Sequence, residues 1–186
     1  MKIKDYQIFG DHTDTLKELS KDTSFDPPQY MTQRTDIATN FDAVKRSYTN
    51  SLGLSEDFAT SCDALLFLPT KAVLIEFKNG KVKTSEVKTK IRDSLIIYGG
   101  ITGKSIADTR NDMEFVLVYN ECKNSKSQNT SGHSSSKTNI ANHVAQRAKT
   151  EIILFDLNRF QTLCFRSVHT YTQQEFENYL RRNGLS

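Results

Sequence analysis

The sequence predicts one α/β domain built around a mixed β-sheet, and its apolar segments support this fold class. Two of them, 63–68 and 72–78, lie on either side of Pro69-Thr70 and are predicted to form a β-hairpin. A third segment, 113–119, is nearly continuous, which is typical of a strand buried on both faces. Helical periodicity separates the hairpin from this third strand. The chain must therefore return through a helix, and the sheet must be mixed.

The composition is that of an ordinary globular protein and argues against several classes. The chain has 186 residues, with 25 Lys and Arg residues against 22 Asp and Glu residues, and this length favours one domain with a sizeable core. No apolar run approaches the roughly 18 residues of a membrane helix, and we expect no secretory signal. The 3 cysteines are far apart and odd in number. We therefore expect a cytoplasmic protein without a disulfide framework or a zinc site.

The N-terminal part is predicted to differ from the rest of the chain. We expect residues 1–35 to form an irregular arm and residues 36–186 to form the domain, since Asp26-Pro27-Pro28 interrupts regular structure. The aromatic residues of the arm are expected to pack onto the domain. Asn40 is predicted to cap a first helix, because apolar residues then recur at three- and four-residue spacing. Gly53 is expected to end that helix.

The second predicted helix is the most basic part of the chain. It is expected to begin at Thr84 or Ser85 and to end at Gly99-Gly100, and Lys81-Val82-Lys83 before it could add a short third strand. The positive side chains of this region are Lys81, Lys83, Lys88, Lys90 and Arg92. They are either contacts for a phosphate backbone or a solvated helix face, and the sequence favours neither.

The last third of the chain is predicted to hold a loop, two helices and extended segments. The Ser-rich segment 123–138 has no large apolar side chain and is expected to be a mobile loop. A third helix is predicted over 139–149, followed by strands or extended pieces at 152–157 and 162–168. Thr172 begins a capping-box pattern that opens the last helix.

Charged residues interrupt the apolar hairpin. Asp63 opens the first strand, and Glu76 and Lys78 lie near the end of the second, where charges are rare unless they are paired or functional. Glu76 and Lys78 are two residues apart and project to the same face. If Pro69-Thr70 forms a two-residue connection, Asp63 lies opposite Glu76 and the three side chains converge. A loop one residue longer would send Asp63 to the other face.

Two carboxylates about 5 Å apart are a candidate site for a divalent cation, which relieves their mutual repulsion. Oxygen ligands of this kind suit Mg²⁺ or Mn²⁺, and a water bound to such an ion can become a nucleophile. Lys78 beside the ion could orient that water or stabilise charge on a phosphate. These residue types fit metal-assisted hydrolysis of a phosphodiester. The alternative is an exposed Glu76–Lys78 pair, with Asp63 as a cap at the strand end.

Asp63, followed after 12 residues by Glu76-Phe77-Lys78, resembles the D…ExK signature of the PD-(D/E)XK nuclease superfamily. The resemblance covers roughly residues 40–120 and implies a restriction-endonuclease-like fold, a mixed β-sheet flanked by helices. It implies that Asp63 and Glu76 bind Mg²⁺ or Mn²⁺ and that Phe77 adds its backbone carbonyl. In the same way it implies that Lys78 is catalytic.

Accessory residues follow from the same resemblance. Some members of the family add an acidic residue from the first helix, and Glu56 or Asp57 is the candidate here. Tyr98 on the basic helix could hydrogen-bond at the site, although a tyrosine in such a position is more often part of the core.

The function implied by the resemblance is that of a Mg-dependent nuclease, a hydrolase that cleaves phosphodiester bonds with a metal-activated water. DNA is the expected substrate more than RNA, because most of the family acts on DNA. The net charge of +3 is too small to indicate a nucleic-acid partner by itself. No membrane partner is expected, and a homodimer is left open. The alternatives are a catalytically inactive nucleic-acid-binding domain and a protein-interaction domain with the same fold.

Overall fold

The computed structural model describes residues 6–124 and 151–185 of the chain. The predicted mobile loop at 123–138 lies outside these residues except for its first two positions, which end a short helix. The predicted third helix at 139–149 also lies outside them. None of the helices in the described residues combines the length and the apolar character that crossing a bilayer requires.

A mixed sheet forms the centre of the molecule. In chain order, the strands of the described residues are β1 (Thr13–Thr15), β2 (Lys21–Asp22), β3 (Gln29–Tyr30), β4 (Ile37–Asn40), β5 (Ala64–Leu68), β6 (Lys71–Lys78), β7 (Met113–Tyr119) and β8 (Ser167–Tyr171). β2 and β3 pair with each other, and the others lie side by side in chain order as a 6-stranded sheet. Neighbours from β1 to β6 are antiparallel, whereas β6, β7 and β8 are parallel. The predicted mixed α/β fold is thus confirmed.

Helices cover both faces of this sheet. In chain order, the helices of the described residues are α1 (Gln7–Asp11), α2 (Leu16–Leu19), α3 (Phe41–Ser51), a 3₁₀ turn (Glu56–Phe58), α4 (Thr84–Thr102), α5 (Ile106–Asp112), α6 (Glu121–Asn124), α7 (Asn158–Leu163) and α8 (Gln173–Arg182). One core packs α3 and α4 against the sheet face that carries Leu74 and Phe115. The other core packs α2 and α8 against the face that carries Val73 and Ile75. β7 is buried at every position, as its continuous apolar pattern predicts.

β5 and β6 form the predicted hairpin with the two-residue connection Pro69-Thr70. The pairing reaches Ala64 opposite Ile75. It continues one step further, because the Asp63 amide donates a hydrogen bond to the Ile75 carbonyl (3.1 Å). This register places Asp63 beside Glu76 at the open end of the hairpin.

The predicted helix starts at Asn40 and Thr172 are confirmed by their caps. The Asn40 side chain accepts a hydrogen bond from the Ala43 amide (3.0 Å). Thr172 and Glu175 form a capping box at the start of α8. Each cap pairs a backbone donor that the first turn leaves unsatisfied, and such a cap is typically worth about 1 kcal/mol.

Helix α4 does not end at Gly99-Gly100 as predicted but runs to Thr102. It terminates at Gly103, which adopts a left-handed φ of 69° and donates its amide to the Gly99 carbonyl (2.8 Å). Gly100 serves packing instead, since a Cβ there would overlap the hydroxyl of Tyr48 on α3. Glycine at this position permits the close approach of the two helices.

Residues 81–83 do not form the predicted third strand. The Val82 amide donates to the side-chain oxygen of Asn124 (2.8 Å) and not to a neighbouring strand. The third antiparallel partner of the hairpin comes from before α3, where β4 pairs with β5.

The extended segments predicted at 152–157 and 162–168 are also partly wrong. Phe155 and Asp156 have positive φ values of 60° and 51°, so the first segment contains a turn. In the second, α7 continues to Leu163 and the strand begins only at Ser167.

The N-terminal segment is more regular than the irregular arm predicted for residues 1–35. It contributes α1, α2 and the edge strand β1, and the side chains of Phe9 and Leu16 are fully buried. Phe9 stacks on Phe41 at a ring-centroid distance of 6.5 Å, in line with the expected packing of the arm's aromatic residues. Each of these elements has 3 to 5 residues, which is too short for a periodic pattern to show.

Candidate functional site

The charged residues of the hairpin meet at the end of β6, on the sheet face that α4 covers. Side chains of β6 alternate between faces, so Glu76 and Lys78 lie on the same side as Leu74, which packs in the core beneath α4. Asp63 joins them from the start of β5. The structure therefore brings together the three residues on which the predicted chemistry depends.

Charged contacts link these side chains into one network. The Phe77 amide donates to Asp63 Oδ2 (2.6 Å), and Lys78 Nζ lies 3.1 Å from Glu76 Oε1. Lys90 of α4 reaches both carboxylates, since its Nζ lies 3.2 Å from Asp63 Oδ1, 2.8 Å from Glu76 Oε1 and 3.0 Å from Glu76 Oε2. Among the described residues, Glu76 Oε1 has ion-pair contacts but no partner in hydrogen-bond geometry. That oxygen therefore faces the two ammonium groups without a hydrogen bond of its own.

Burial controls the ionisation of the network. Glu76 is 0% exposed, and the Asp63 side chain is 19% exposed. Burial, followed by the negative charge of Asp63, raises the pKa of Glu76 to about 8 against the opposing effect of the lysines. Burial also raises the pKa of Asp63, although Lys90 and the Phe77 amide oppose it. Burial acts to lower the pKa of Lys90, but the two carboxylates raise it above its ordinary value.

The stability of the metal-free protein is expected to fall as the pH rises from 4.5, the ordinary pKa of a glutamate, to about 8. In this window folded Glu76 holds a proton that the unfolded chain has lost, so the free energy of unfolding decreases with pH. The shift corresponds to at most about 5 kcal/mol. Glu76→Gln, which has no titrating proton, is expected to lose this part of the pH dependence. Urea unfolding in EDTA at several pH values tests this, and identical slopes for the two proteins would contradict it.

A cleft of about 430 Å³ opens beside the network. Asp63, Phe77 and Lys78 line it together with residues 19–23 of the N-terminal segment and residues 79–81 after β6. Its volume falls in the range of about 300–1,000 Å³ that is usual for small-ligand pockets. Glu76 and Lys90 do not line the cleft, so a molecule in it meets Asp63 and Lys78.

The β2–β3 ribbon is fixed to the end of β6 by amide side chains. Asn79, directly after Lys78, donates from Nδ2 to Asp22 Oδ2 (3.0 Å) and to Gln29 Oε1 (2.9 Å). Asn120, at the end of β7, donates to Asn79 Oδ1 (2.9 Å). One side of the cleft is therefore held at a defined distance from the strand that carries the carboxylates.

The carboxylate pair fits a shared cation, because a single nitrogen, Lys90 Nζ, already contacts oxygens of both side chains. Mg²⁺ prefers oxygen ligands and commonly binds through one or two carboxylates while it keeps several waters. Within residues 6–124 and 151–185, no group of three or more His, Cys, Asp or Glu side chains is placed to hold a metal ion. A metal here would have Asp63 and Glu76 as its charged protein ligands, and the Phe77 carbonyl is added by the resemblance alone.

The basic residues predicted to contact nucleic acid occupy different surroundings. Lys81 and Lys83 line the cleft. Lys88 instead pairs with Asp156, and the Arg92 guanidinium lies 6.0 Å above an aromatic ring of α7. The first two are therefore placed to meet a ligand of the cleft, whereas the last two contact the C-terminal part of the chain.

The accessory candidates Glu56 and Tyr98 have contacts elsewhere. Glu56 is exposed in the 3₁₀ turn, where its carbonyl accepts a hydrogen bond from Lys45 (3.1 Å). Tyr98 is 1% exposed and stacks on Phe9 at a centroid distance of 6.0 Å. Tyr98 therefore belongs to the core, which is the alternative stated for it above.

The sequence groups Lys90 with the other basic residues, as a phosphate contact or part of a solvated helix face, whereas the structure brings it into the carboxylate network. The available signal was its position on α4. Lys90 follows Val87 by three residues and precedes Ser94 by four, so it lies on the buried face of the helix. Asp42 on α3 was also missed, and its negative charge contributes to the raised pKa of Asp63.

A second charged network lies near the opposite ends of β6 and β7, on the other face of the sheet. Glu114 Oε2 accepts hydrogen bonds from Lys71 Nζ (2.7 Å) and the Tyr179 hydroxyl (2.7 Å), and His169 Nε2 lies 3.7 Å away. His169 Nδ1 contacts Glu151 (2.8 Å). Burial acts to raise the pKa of Glu114, but the contacts with His169, Lys71 and Tyr179 hold it well below its usual range. This network joins β6, β7, β8 and α8.

No family model, curated protein or solved structure matches this chain. The fold itself is a mixed sheet flanked by helices, with a pair of carboxylates neutralised by lysines beside a cleft. A function for the site has to be inferred from the contacts of these side chains.

Proposed function

We propose that this chain is a metal-dependent nuclease of the restriction-endonuclease-like kind, which hydrolyses phosphodiester bonds in DNA more readily than in RNA. The observation that carries the proposal is the contact of Lys90 Nζ with both Asp63 and Glu76, because it brings the two carboxylates within reach of one cation. Lys78 lines the adjacent cleft, where a substrate phosphate would lie. The preference for DNA depends on the resemblance of the D…ExK signature to that family.

Each residue of the network has a defined task in this proposal. Asp63 and Glu76 would hold Mg²⁺ or Mn²⁺, which when bound would supply an acidified water and neutralise phosphate charge. The Phe77 amide orients Asp63 by its hydrogen bond to one carboxylate oxygen. Glu76 holds the Lys78 ammonium at 3.1 Å. That ammonium is placed to donate a hydrogen bond to the attacking water or to a phosphate oxygen on which negative charge builds in the transition state.

Substrate binding would use the mixed charge of the cleft lining. Lys21, Lys81 and Lys83 supply positive charge for phosphates. Asp22 and Glu86 also line the cleft, and Glu86 pairs with Lys83 (2.8 Å), which reduces the net positive charge. We therefore expect nucleic-acid affinity to fall as the salt concentration rises. The slope of log affinity against log salt concentration should be modest, because few phosphates are neutralised.

One observation favours a second function, nucleic-acid binding without turnover. Asp63 and Glu76 already face the ammonium groups of Lys78 and Lys90, so their charge is compensated without a metal ion. A binding domain would use the same cleft and the same lysines, and its affinity would be indifferent to divalent ions.

Cleavage of supercoiled plasmid, single-stranded DNA and RNA, each in Mg²⁺, Mn²⁺ and EDTA, tests the proposal. We expect cleavage that requires a divalent ion and that Asp63→Asn abolishes. Asparagine keeps an acceptor for the Phe77 amide but removes the charge that a metal needs. Thermal unfolding of both proteins in EDTA establishes that the variant is folded. If the substrate stays intact in every reaction and DNA affinity does not change with divalent ions, nucleic-acid binding without turnover would be favoured instead.

A further inference from the structure

Lys90 occupies the position between the two carboxylates. Its Nζ lies 2.8 Å from Glu76 and 3.2 Å from Asp63, and its side chain is 22% exposed. It extends from the helix that covers this face of the sheet, so its reach to the carboxylates is set by α4 and not by a loop. Lys88, two residues earlier on the same helix, pairs with Asp156 instead. Contact with both carboxylates, and not basic charge alone, distinguishes Lys90.

We propose that Lys90 is a resident counter-ion that exchanges with the divalent metal: it holds Asp63 and Glu76 together in the metal-free protein and leaves them when the metal binds. This inference rests on the proposed function, because it takes both carboxylates as metal ligands. An ammonium and a divalent ion about 3 Å apart in a buried site repel each other strongly, so both cannot occupy the same carboxylate pair. Lys90 thus sets the metal affinity and acts as a positioning residue.

Glu86, which pairs with Lys83 in the metal-free protein, is the acceptor that the displaced ammonium would come to share. It precedes Lys90 by four residues on α4, which is the order and spacing at which a glutamate and a lysine meet on a helix. Glu86 lines the cleft, and its side chain is 51% exposed. The flexible four-carbon stem of a lysine allows this movement without a shift of the helix. Metal entry would then bring a positive charge to the cleft, and metal binding would strengthen phosphate binding.

Titration of the purified full-length protein with Mn²⁺, followed by the electron paramagnetic resonance of the free ion, tests the exchange. Lys90→Met keeps the apolar length of the side chain and removes its charge. We expect it to bind Mn²⁺ about tenfold more tightly than the wild type. Lys88→Met removes the same charge from the same helix and is expected to leave Mn²⁺ affinity unchanged. Lys90→Met is also expected to unfold at a lower temperature than the wild type in EDTA and to regain stability in Mn²⁺.

Lys90→Arg keeps the charge and gives a second test that does not depend on the stability of Lys90→Met. A guanidinium binds carboxylates as a fork and stays charged, so this variant is expected to bind Mn²⁺ more weakly than the wild type. Equal Mn²⁺ affinities for the wild type and both Lys90 variants would overturn the proposed exchange of Lys90 with the metal. A gain in Mn²⁺ affinity in Lys88→Met as large as that in Lys90→Met would overturn it too. Metal-dependent cleavage by the wild type would then leave the nuclease proposal intact. If neither the wild type nor any variant binds Mn²⁺, both the nuclease proposal and the proposed exchange are overturned.

Discussion

Lys78→Ala is expected to lower the rate of metal-dependent cleavage at saturating substrate by about 10²–10⁴-fold, the usual contribution of a positioned proton-transfer or charge-stabilising group. Lys78 lines the cleft with a side chain that is 23% exposed, so a substrate can reach its ammonium. In the metal-free protein Lys90 contacts Asp63 and Glu76 independently of Lys78. The loss should therefore appear in the rate and not in the stability of the fold. Single-turnover cleavage in Mn²⁺ measures the chemical step directly.

Lys104→Ala is the matched control for the loss of one lysine. Lys104 pairs with Asp112 beyond the end of α4 and has no place in the proposed chemistry. It is expected to cleave at the wild-type rate. Lys78→Arg separates charge from shape, and an intermediate rate is expected because the charge is kept on a bulkier group. A wild-type rate in Lys78→Ala would remove this lysine from the mechanism.

Glu114→Ala is expected to destabilise the fold by about 3–5 kcal/mol, the usual effect of removing one partner from a buried ion pair. The Glu114 side chain is 9% exposed, and its loss leaves Lys71 and Tyr179 without their shared acceptor and removes the negative charge beside His169. Because domains of this kind are commonly stable by about 5–15 kcal/mol, such a loss is a large share of the total. Urea unfolding at neutral pH measures it.

Glu114→Gln tests whether the charge of this residue, and not its shape, stabilises the network. The depressed pKa of Glu114 means that its contribution is present above the ordinary glutamate pKa of 4.5 and is lost as the pH falls below that value. The stability difference between the wild type and Glu114→Gln is therefore expected to shrink in acid. A difference that stays constant from neutral to acid pH would assign the effect to shape.

Local rules located the central elements of the fold because their signals act over a few residues. Asn40 and Thr172 cap helices with their own side chains, and Pro69-Thr70 closes a hairpin whose register follows by counting. Once that register is known, the convergence of Asp63 and Glu76 follows from strand geometry alone. The carboxylate pair could thus be derived before any tertiary contact was known.

Features that depend on packing between distant segments could not be derived in this way. Gly100 looks like a helix stop in the sequence, and only the position of Tyr48 shows that it serves the contact between α3 and α4. Lys90 looks like one basic residue among several until α4 lies across the end of β6. Glu114 lies in an apolar strand, and its side-chain partners come from another strand and from a helix far along the chain. Periodicity describes one element at a time, so it cannot show which charges meet.

The amide contacts from Asn120 through Asn79 to the β2–β3 ribbon have a consequence for substrate entry. These contacts order this side of the cleft when the protein folds. A ligand that fits the width between the β2–β3 ribbon and the end of β6 therefore binds without a further loss of conformational entropy there. A ligand that needs a wider gap must break the hydrogen bonds of Asn79, the residue next to Lys78. Its own entry would displace the lysine on which the proposed reaction depends. Substrates would accordingly be selected by their thickness, before any base is recognised.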